Sequence, residues 1–175
     1  MKEREPRKSL QKGKSETVGL FIGRFQPFHL GHLKAIKESA QKVDVLWIGI
    51  GSIDTQNKEN PFTFRERVWM IRMVLGIEKI SNYRIFGIKD YPDDQIWIEK
   101  IFARTGSIDI VFTGNDWTAT CFTQEGQRVE IISLLEGISA TKVREKLRTN
   151  MSYKEMVPEC LEPWLKRQIS RSKSF

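Results

Sequence analysis

Two residue types are scarce in this chain, and one kind of stretch is missing altogether. Of 175 residues only two are cysteine and two are histidine. Cys121 and Cys160 stand alone, with no CxxC or metal-ligand spacing, so neither a disulfide scaffold nor a cysteine-based zinc site is expected. Reduced thiols and a cytoplasmic setting are. No apolar run approaches the roughly 20 residues of a membrane span. The N-terminal segment is charged and has no apolar middle of the kind a secretory signal needs. Two common phosphate-binding patterns fail as well. Gly49-Ile50-Gly51-Ser52 lacks the third glycine of GxGxxG. Gly13-Lys14-Ser15 looks like the end of a P-loop, but Lys8 stands where its first glycine belongs, and the triplet precedes the first strand.

What is present is ordinary in bulk and skewed in charge. Apolar residues make up 39% and charged residues 29%, the balance of one globular domain with a real core. The net charge of +7 suggests an anionic partner. Part of that excess lies in residues 1–16 and at the C-terminal end, both polar, basic and poor in apolar residues. They read as solvated tails, 1–16 and 171–175, flanking a single domain over 17–170.

Inside that domain strand and helix signals alternate. Residues 17–23 form an apolar, β-branched and aromatic run closed by glycine, a buried strand. From His29 the period changes: Leu30, Leu33, Ile36 and Ala40 share one helical face. Further strands are predicted over 43–52, 83–88, 107–114 and 128–134. Thr63 and Glu66 fit a capping box ahead of a helix striped by Phe64, Val68, Ile71 and Leu75. Residues 93–104 read as a helix with acid at its front. Ser139 can cap another over 140–148, and Pro158 suits the start of a last one. The pattern predicts an α/β, Rossmann-like doubly wound fold: a mainly parallel five-stranded sheet with helices on both faces. Ligands of such sheets sit beyond the carboxyl ends of the strands. Chemistry should therefore lie at 23–32, 51–62, 89–97, 113–117 and 136–144.

Both histidines fall in the first of these windows, Gly23-Arg24-Phe25-Gln26-Pro27-Phe28-His29-Leu30-Gly31-His32. A zinc helix wants histidines four apart, a glutamate between them and a third ligand. Here they are three apart around Leu30 and Gly31, so a metal site is not expected. Phosphate fits better. The helix start offers free N–H groups and a positive dipole, Gly31 allows close approach, and Arg24 brings a permanent forked charge. Either histidine alone would read as a helix cap over Phe25 and Phe28; the whole combination reads as a polyphosphate site. A second anion-binding helix start is read from Ile138 to Glu145, where Ser139 and Thr141 bring hydroxyls to the helix start and Arg144 lies one turn beyond Thr141 on the same face.

Together the two stretches resemble the HxGH and ISxTxxR motifs of the nucleotidylyltransferase superfamily. The long form GRFQPFHLGH and the later ENPFTFRERVWMI resemble the archaeal type of nicotinamide-nucleotide adenylyltransferase, over about residues 18–170. One departure is Ala140, where that family often has glycine. The resemblance implies transfer of AMP from ATP to nicotinamide mononucleotide (NMN), giving NAD and pyrophosphate, by in-line attack with no covalent enzyme intermediate. It implies that Gly23, Arg24, Phe25, His29, Gly31, His32, Ser139, Thr141 and Arg144 bind ATP, with His29, His32, Arg24 and Arg144 acting in catalysis. Mg²⁺ is expected to ride on the ATP phosphates and water, without a protein cage. For NMN the candidates are Asn60, Arg67, Asp90, Trp97 and Asn115. Arg67 reads equally as a solvent-facing helix charge, Asn60 as a turn residue and Trp97 as core. The resemblance also implies a homo-oligomer, a hexamer in many archaeal members. The alternatives are another phosphate acceptor (phosphopantetheine, FMN or glycerol phosphate) or a non-catalytic nucleotide- or nucleic-acid-binding protein on the same fold. No helix-turn-helix, zinc finger or RNP signature supports nucleic acid, and no membrane partner is expected.

Overall fold

The computed structural model describes residues 15–133 and 135–171. Residues 1–14 and 172–175, most of the two predicted tails, lie outside the described residues, as does Leu134 at the end of the fifth predicted strand. Among the described residues there are five strands: β1 (Val18–Gly23), β2 (Val45–Ile50), β3 (Tyr83–Gly87), β4 (Ile110–Thr113) and β5 (Val129–Ile131). Six α-helices accompany them among the same residues: α1 (Leu30–Ala40), α2 (Phe64–Ile77), α3 (Asp94–Thr105), α4 (Asp116–Gln124), α5 (Ala140–Arg148) and α6 (Glu162–Arg171). The sheet is parallel throughout, in the order β3-β2-β1-β4-β5. The order reverses between β1 and β4, the switch point beyond whose carboxyl ends sheets of this kind hold a ligand.

Side-chain alternation along the strands feeds two cores. Phe21, Leu46, Ile48, Ile50, Ile110 and Phe112 point to one face, which α1, α2, α5 and α6 cover with Ile36, Ile71, Val143 and Leu165. Leu20, Phe86 and Val111 point to the other, covered by α3 and α4 through Trp97, Ile101 and Phe122. The Thr63–Glu66 capping box forms as the spacing predicts: Glu66 N–H donates to Thr63 Oγ1, and Thr63 N–H to Glu66 Oε2 at 2.8 Å.

The strands are shorter than the apolar runs suggest. Residues before β2 and β4 are spent on tying strand starts: Asp44 Oδ2 accepts from Thr17 N–H at 2.8 Å and Asp109 Oδ2 from Val18 N–H at 2.7 Å. Helix α4 is an element without a sequence expectation. Its threonines are weak helix formers, and only Thr118, Cys121 and Phe122 are buried along it. The signal was the Asn115 cap followed by that short stripe. Ala140 is the first residue of α5, so its extra methyl sits on helical backbone that accepts it.

Candidate active site

The loop leaving β1 is shaped by two aromatic rings. Phe25 takes a left-handed φ of 53°, a costly conformation for a side chain of that size. Its fully buried ring compensates, lying 6.1 Å from Phe21, 5.9 Å from Phe28 and 4.6 Å from His32. This packing delivers the chain to the first turn of α1 with both histidines over the sheet.

The histidines then cap the helix reciprocally. His32 N–H donates to His29 Nδ1 and His29 N–H to His32 Nδ1, each at 3.3 Å. The rings stack with centroids 3.7 Å apart. Because both Nδ1 atoms accept backbone protons, each neutral ring carries its own proton on Nε2. Burial pushes the His29 pKa down to about 4. Burial, and then the charge of His29, holds His32 well below the ordinary histidine range. At neutral pH the pair is therefore uncharged and presents two Nε2–H donors. Gly31 is required by the same geometry, since a Cβ there would lie 3.0 Å from His29 Cε1 and Nδ1. At Gly23 a Cβ would meet the Phe25 ring at 3.1 Å.

The second motif faces this one. Ser139 caps α5, its Oγ accepting from Lys142 N–H at 3.2 Å. Arg144 is buried; its Nη1 donates to the Gln26 carbonyl at 2.7 Å and its Nη2 to Thr141 Oγ1 at 3.2 Å, while Nε has no partner. Burial lowers its pKa, helped by the charges of Arg24 and Arg148 and opposed by Glu59. Three guanidiniums thus bear on one region. Arg148, which carried no expectation, also donates from Nη2 to the Lys58 carbonyl at 2.7 Å and holds the loop after β2 against α5.

Of the residues expected to meet NMN, Arg67 lies inside the protein and not on its surface. It is 1% exposed, which excludes a solvent-facing charge. Its Nη1 donates to the Gly51 and Arg24 carbonyls at 2.7 and 3.0 Å, and its Nη2 to the Ser52 carbonyl at 3.2 Å. The side chain is long enough to run from α2 to the loops after β1 and β2, where it knots them together. Burial pushes its pKa down to about 10, against the pull of Asp90. Asn60 is buried in the loop after β2. Its Nδ2 donates to Asn57 Oδ1 at 3.1 Å, and its own Oδ1 has no partner. Asp90 is exposed and accepts from Ser52 Oγ at 2.8 Å and Thr55 Oγ1 at 3.2 Å.

The remaining two belong to the opposite wall, at the starts of α3 and α4. Asn115 is the α4 cap, its Oδ1 accepting from Thr118 N–H at 3.0 Å. Trp97 is only 6% exposed and packs with Phe122 in the second core. The aromatic surface on that wall is Trp117, 49% exposed, whose ring lies 5.0 Å from Trp97 and whose Nε1 donates to Asp94 Oδ2 at 3.3 Å. Sequence reasoning passed over Trp117 because the helix carrying it was not foreseen.

Residues 20–150 match a family model described as cytidylyltransferase-like. The chain is 32% identical over 154 residues to a nicotinamide-nucleotide adenylyltransferase of Pyrococcus furiosus, covering 85% of this chain and 82% of that protein. It is 36% identical over 147 residues to that of Thermoplasma volcanium, covering 82% and 83%. A similar solved structure is a bifunctional NMN adenylyltransferase/ADP ribose pyrophosphatase of Francisella tularensis, complexed with AMP and a Mn ion. The TM-score is 0.75 at 25% identity, and the match covers 91% of this chain but 51% of that one, so the chain spans about half its length.

Proposed function

Since the chain belongs to the cytidylyltransferase-like family, and within it to the nicotinamide-nucleotide adenylyltransferases, we propose that it transfers AMP from ATP to NMN, releasing pyrophosphate and forming NAD. An oxygen of the NMN phosphate attacks the α-phosphorus of ATP. The bond from that phosphorus to the β-phosphate oxygen breaks, and its electrons leave with pyrophosphate. The attacking oxygen is already ionised at neutral pH, so the step needs alignment and charge neutralisation, not a general base.

The observation that carries this reading is the uncharged histidine pair, with both Nε2–H groups free of the cap and Arg144 bonded to the Gln26 carbonyl of the same loop. Donors fixed before the reaction stabilise charge as it moves onto the leaving group, and one such donor is typically worth about 10²–10³ in rate. In this reading His29 and His32 donate to ATP phosphates, with Gly31 and the α1 N–H groups at the same anion. Gly23, Arg24 and Phe25 supply backbone and charge beside them. Ser139, Thr141 and Arg144 take the β- and γ-phosphates. Asn60 offers its unpartnered acceptor on the NMN side, and Asp90 and Asn115 lie after strands where the acceptor would rest. Arg67 serves NMN through the loops it knots. Of the two tryptophans, Trp117 has the exposed ring that a pyridinium could stack on, with Trp97 behind it.

Among the described residues no group of three or more His, Cys, Asp or Glu side chains could hold a metal ion. A divalent cation, Mg²⁺ in our reading, fits as an ion carried by the phosphates and water, where it would offset their charge. An assembly of several copies belongs to the same reading. Helix α2 leaves Trp69 40% and Ile77 61% exposed, apolar surface that a neighbouring copy would cover in this reading. A cytoplasmic setting agrees with the two free thiols, Cys121 and Cys160. The single domain of 17–170 with basic tails also stays part of this reading.

The test is pyrophosphate release from ATP and Mg²⁺ with NMN, phosphopantetheine or FMN as acceptor, and from CTP with glycerol phosphate. NAD formation is expected with NMN alone. Turnover of another acceptor without NAD formation would overturn the assignment.

A further inference from the structure

Gln26, within the first motif, is bonded both to the loop after β2 and to helix α5. It is 1% exposed, so its side chain cannot reach a substrate. Its Oε1 accepts from Phe62 N–H at 2.9 Å and its Nε2 donates to the Phe62 carbonyl at 2.9 Å. A carboxamide has one acceptor oxygen and an NH₂ donor, and here it pairs both backbone groups of one residue as a neighbouring strand would. Its own carbonyl meanwhile accepts from Arg144 Nη1 at 2.7 Å. Three segments therefore meet on this residue: the histidine loop, the loop between β2 and α2, and helix α5.

These contacts define what would move without it. Arg144 is oriented by the Gln26 carbonyl and Thr141 Oγ1. The carbonyl is held in place because the side chain of the same residue is locked to Phe62. Asn60, with its buried and unpartnered Oδ1, precedes Phe62 by two residues. His29 follows Gln26 by three. A shift of this joint would displace groups on the ATP side and the acceptor side together.

We propose that Gln26 is a positioning residue for adenylyl transfer: through Phe62 it sets the loop after β2 against the histidine pair, and through its carbonyl it aims Arg144. This rests on the reaction proposed above. It differs from simple packing in its kinetic signature. Misplacing aligned groups by about 1 Å can cost about 10²-fold in rate, whereas loss of packing alone lowers stability and leaves the turnover of folded molecules unchanged.

The experiment compares the parent with Gln26→Met and Gln26→Glu. Methionine fills the volume and removes both hydrogen bonds. Glutamate keeps the acceptor for Phe62 N–H and sets an oxygen against the Phe62 carbonyl. Fold is checked by circular dichroism and melting midpoint, and kcat and KM are measured for ATP and NMN. For Gln26→Met the expected result is a kcat lowered about tenfold or more, with both KM values within about threefold of the parent. Gln26→Glu, whose second oxygen is repelled by the Phe62 carbonyl, should lose at least as much kcat, and Gln26→Asn, which stays neutral but stops short of Phe62, decides the matter with the same expected loss if neither of the others folds. In a Gln26→Met/Arg144→Ala double variant the losses should be less than additive, since one residue acts through the other. A folded variant with kcat within about threefold of the parent, or fully additive losses, would overturn the proposal. A parent that forms no NAD from ATP and NMN is a separate outcome: it removes the reaction, and the role of Gln26 with it.

Discussion

His29 and His32 accept each other's backbone N–H at 3.3 Å through their Nδ1 atoms, so the cap of helix α1 and the candidate phosphate donors are the same two rings. A serine–glutamate capping box would satisfy those N–H groups as well. Two imidazoles do so while keeping an N–H on the far side of each ring, aimed away from the helix. Their pKa values are lowered by burial, which keeps the rings neutral and leaves each Nδ1 free to accept. Anchoring and chemistry therefore share one constraint.

Removing one ring should separate the two roles. His32→Ala loses one Nε2–H donor and the acceptor for His29 N–H, at the helix terminus rather than in the centre of the core. We expect turnover to NAD to fall by about 10²-fold or more, with a folded protein by circular dichroism. A rate within about threefold of the parent would show that His32 does not act in the transition state.

Acid should weaken the fold through the same pair. His29 has a folded pKa of about 4 against 6.5 for the free side chain. Between those values the unfolded chain binds the proton and the folded one does not, so stability falls as pH drops from 6.5 to 4. The full stability is present above 6.5. The loss for this one group approaches about 3 kcal/mol by pH 4. His29→Asn keeps a good capping oxygen and cannot titrate. Urea unfolding at pH 7, 5.5 and 4.5 should show the parent losing more stability than this variant across the range. Parallel curves would mean that His29 titrates normally.

Gly31→Ala tests the close approach. In a helix the exchange is ordinarily favourable by about 0.5–1 kcal/mol. Here the new Cβ would meet the His29 ring at 3.0 Å and push it from its stack on His32. The expected outcome is a small change in melting midpoint with a large loss of NAD formation. Equal activity in parent and variant would show that the ring can give way without cost.

The parts of this protein that were legible beforehand are those encoded within a few neighbouring residues. The stripe Leu30, Leu33, Ile36, the Thr63–Glu66 box and the Ser139 cap are local patterns, and each formed where its spacing put it. The alternation of elements then led to the parallel sheet and to the crevice at its carboxyl ends. What could not be read is where long side chains finish. Nothing around Arg67 on α2 says that it crosses to the carbonyls of Arg24, Gly51 and Ser52. Nothing around Gln26 says that it pairs with Phe62, 36 residues away. Helix α4 was hidden because its threonines obscure the period. With it went Trp117, the exposed ring beside Trp97.

Those two tryptophans should answer differently to truncation. Trp97 is enclosed by Trp117, Phe122 and the second core, so Trp97→Ala opens a cavity and should cost about 3–5 kcal/mol in urea unfolding. Trp117 is half exposed and holds one bond to Asp94 Oδ2, so Trp117→Ala should cost about 1 kcal/mol. If the exposed ring meets the acceptor, the same Trp117→Ala change raises the KM for NMN and leaves the KM for ATP unchanged, because the phosphate-binding residues lie on the other wall. Steady-state kinetics with each substrate varied in turn reads both. An unchanged KM for NMN in a folded Trp117→Ala protein would remove Trp117 from the acceptor site and make it a support for Trp97 alone.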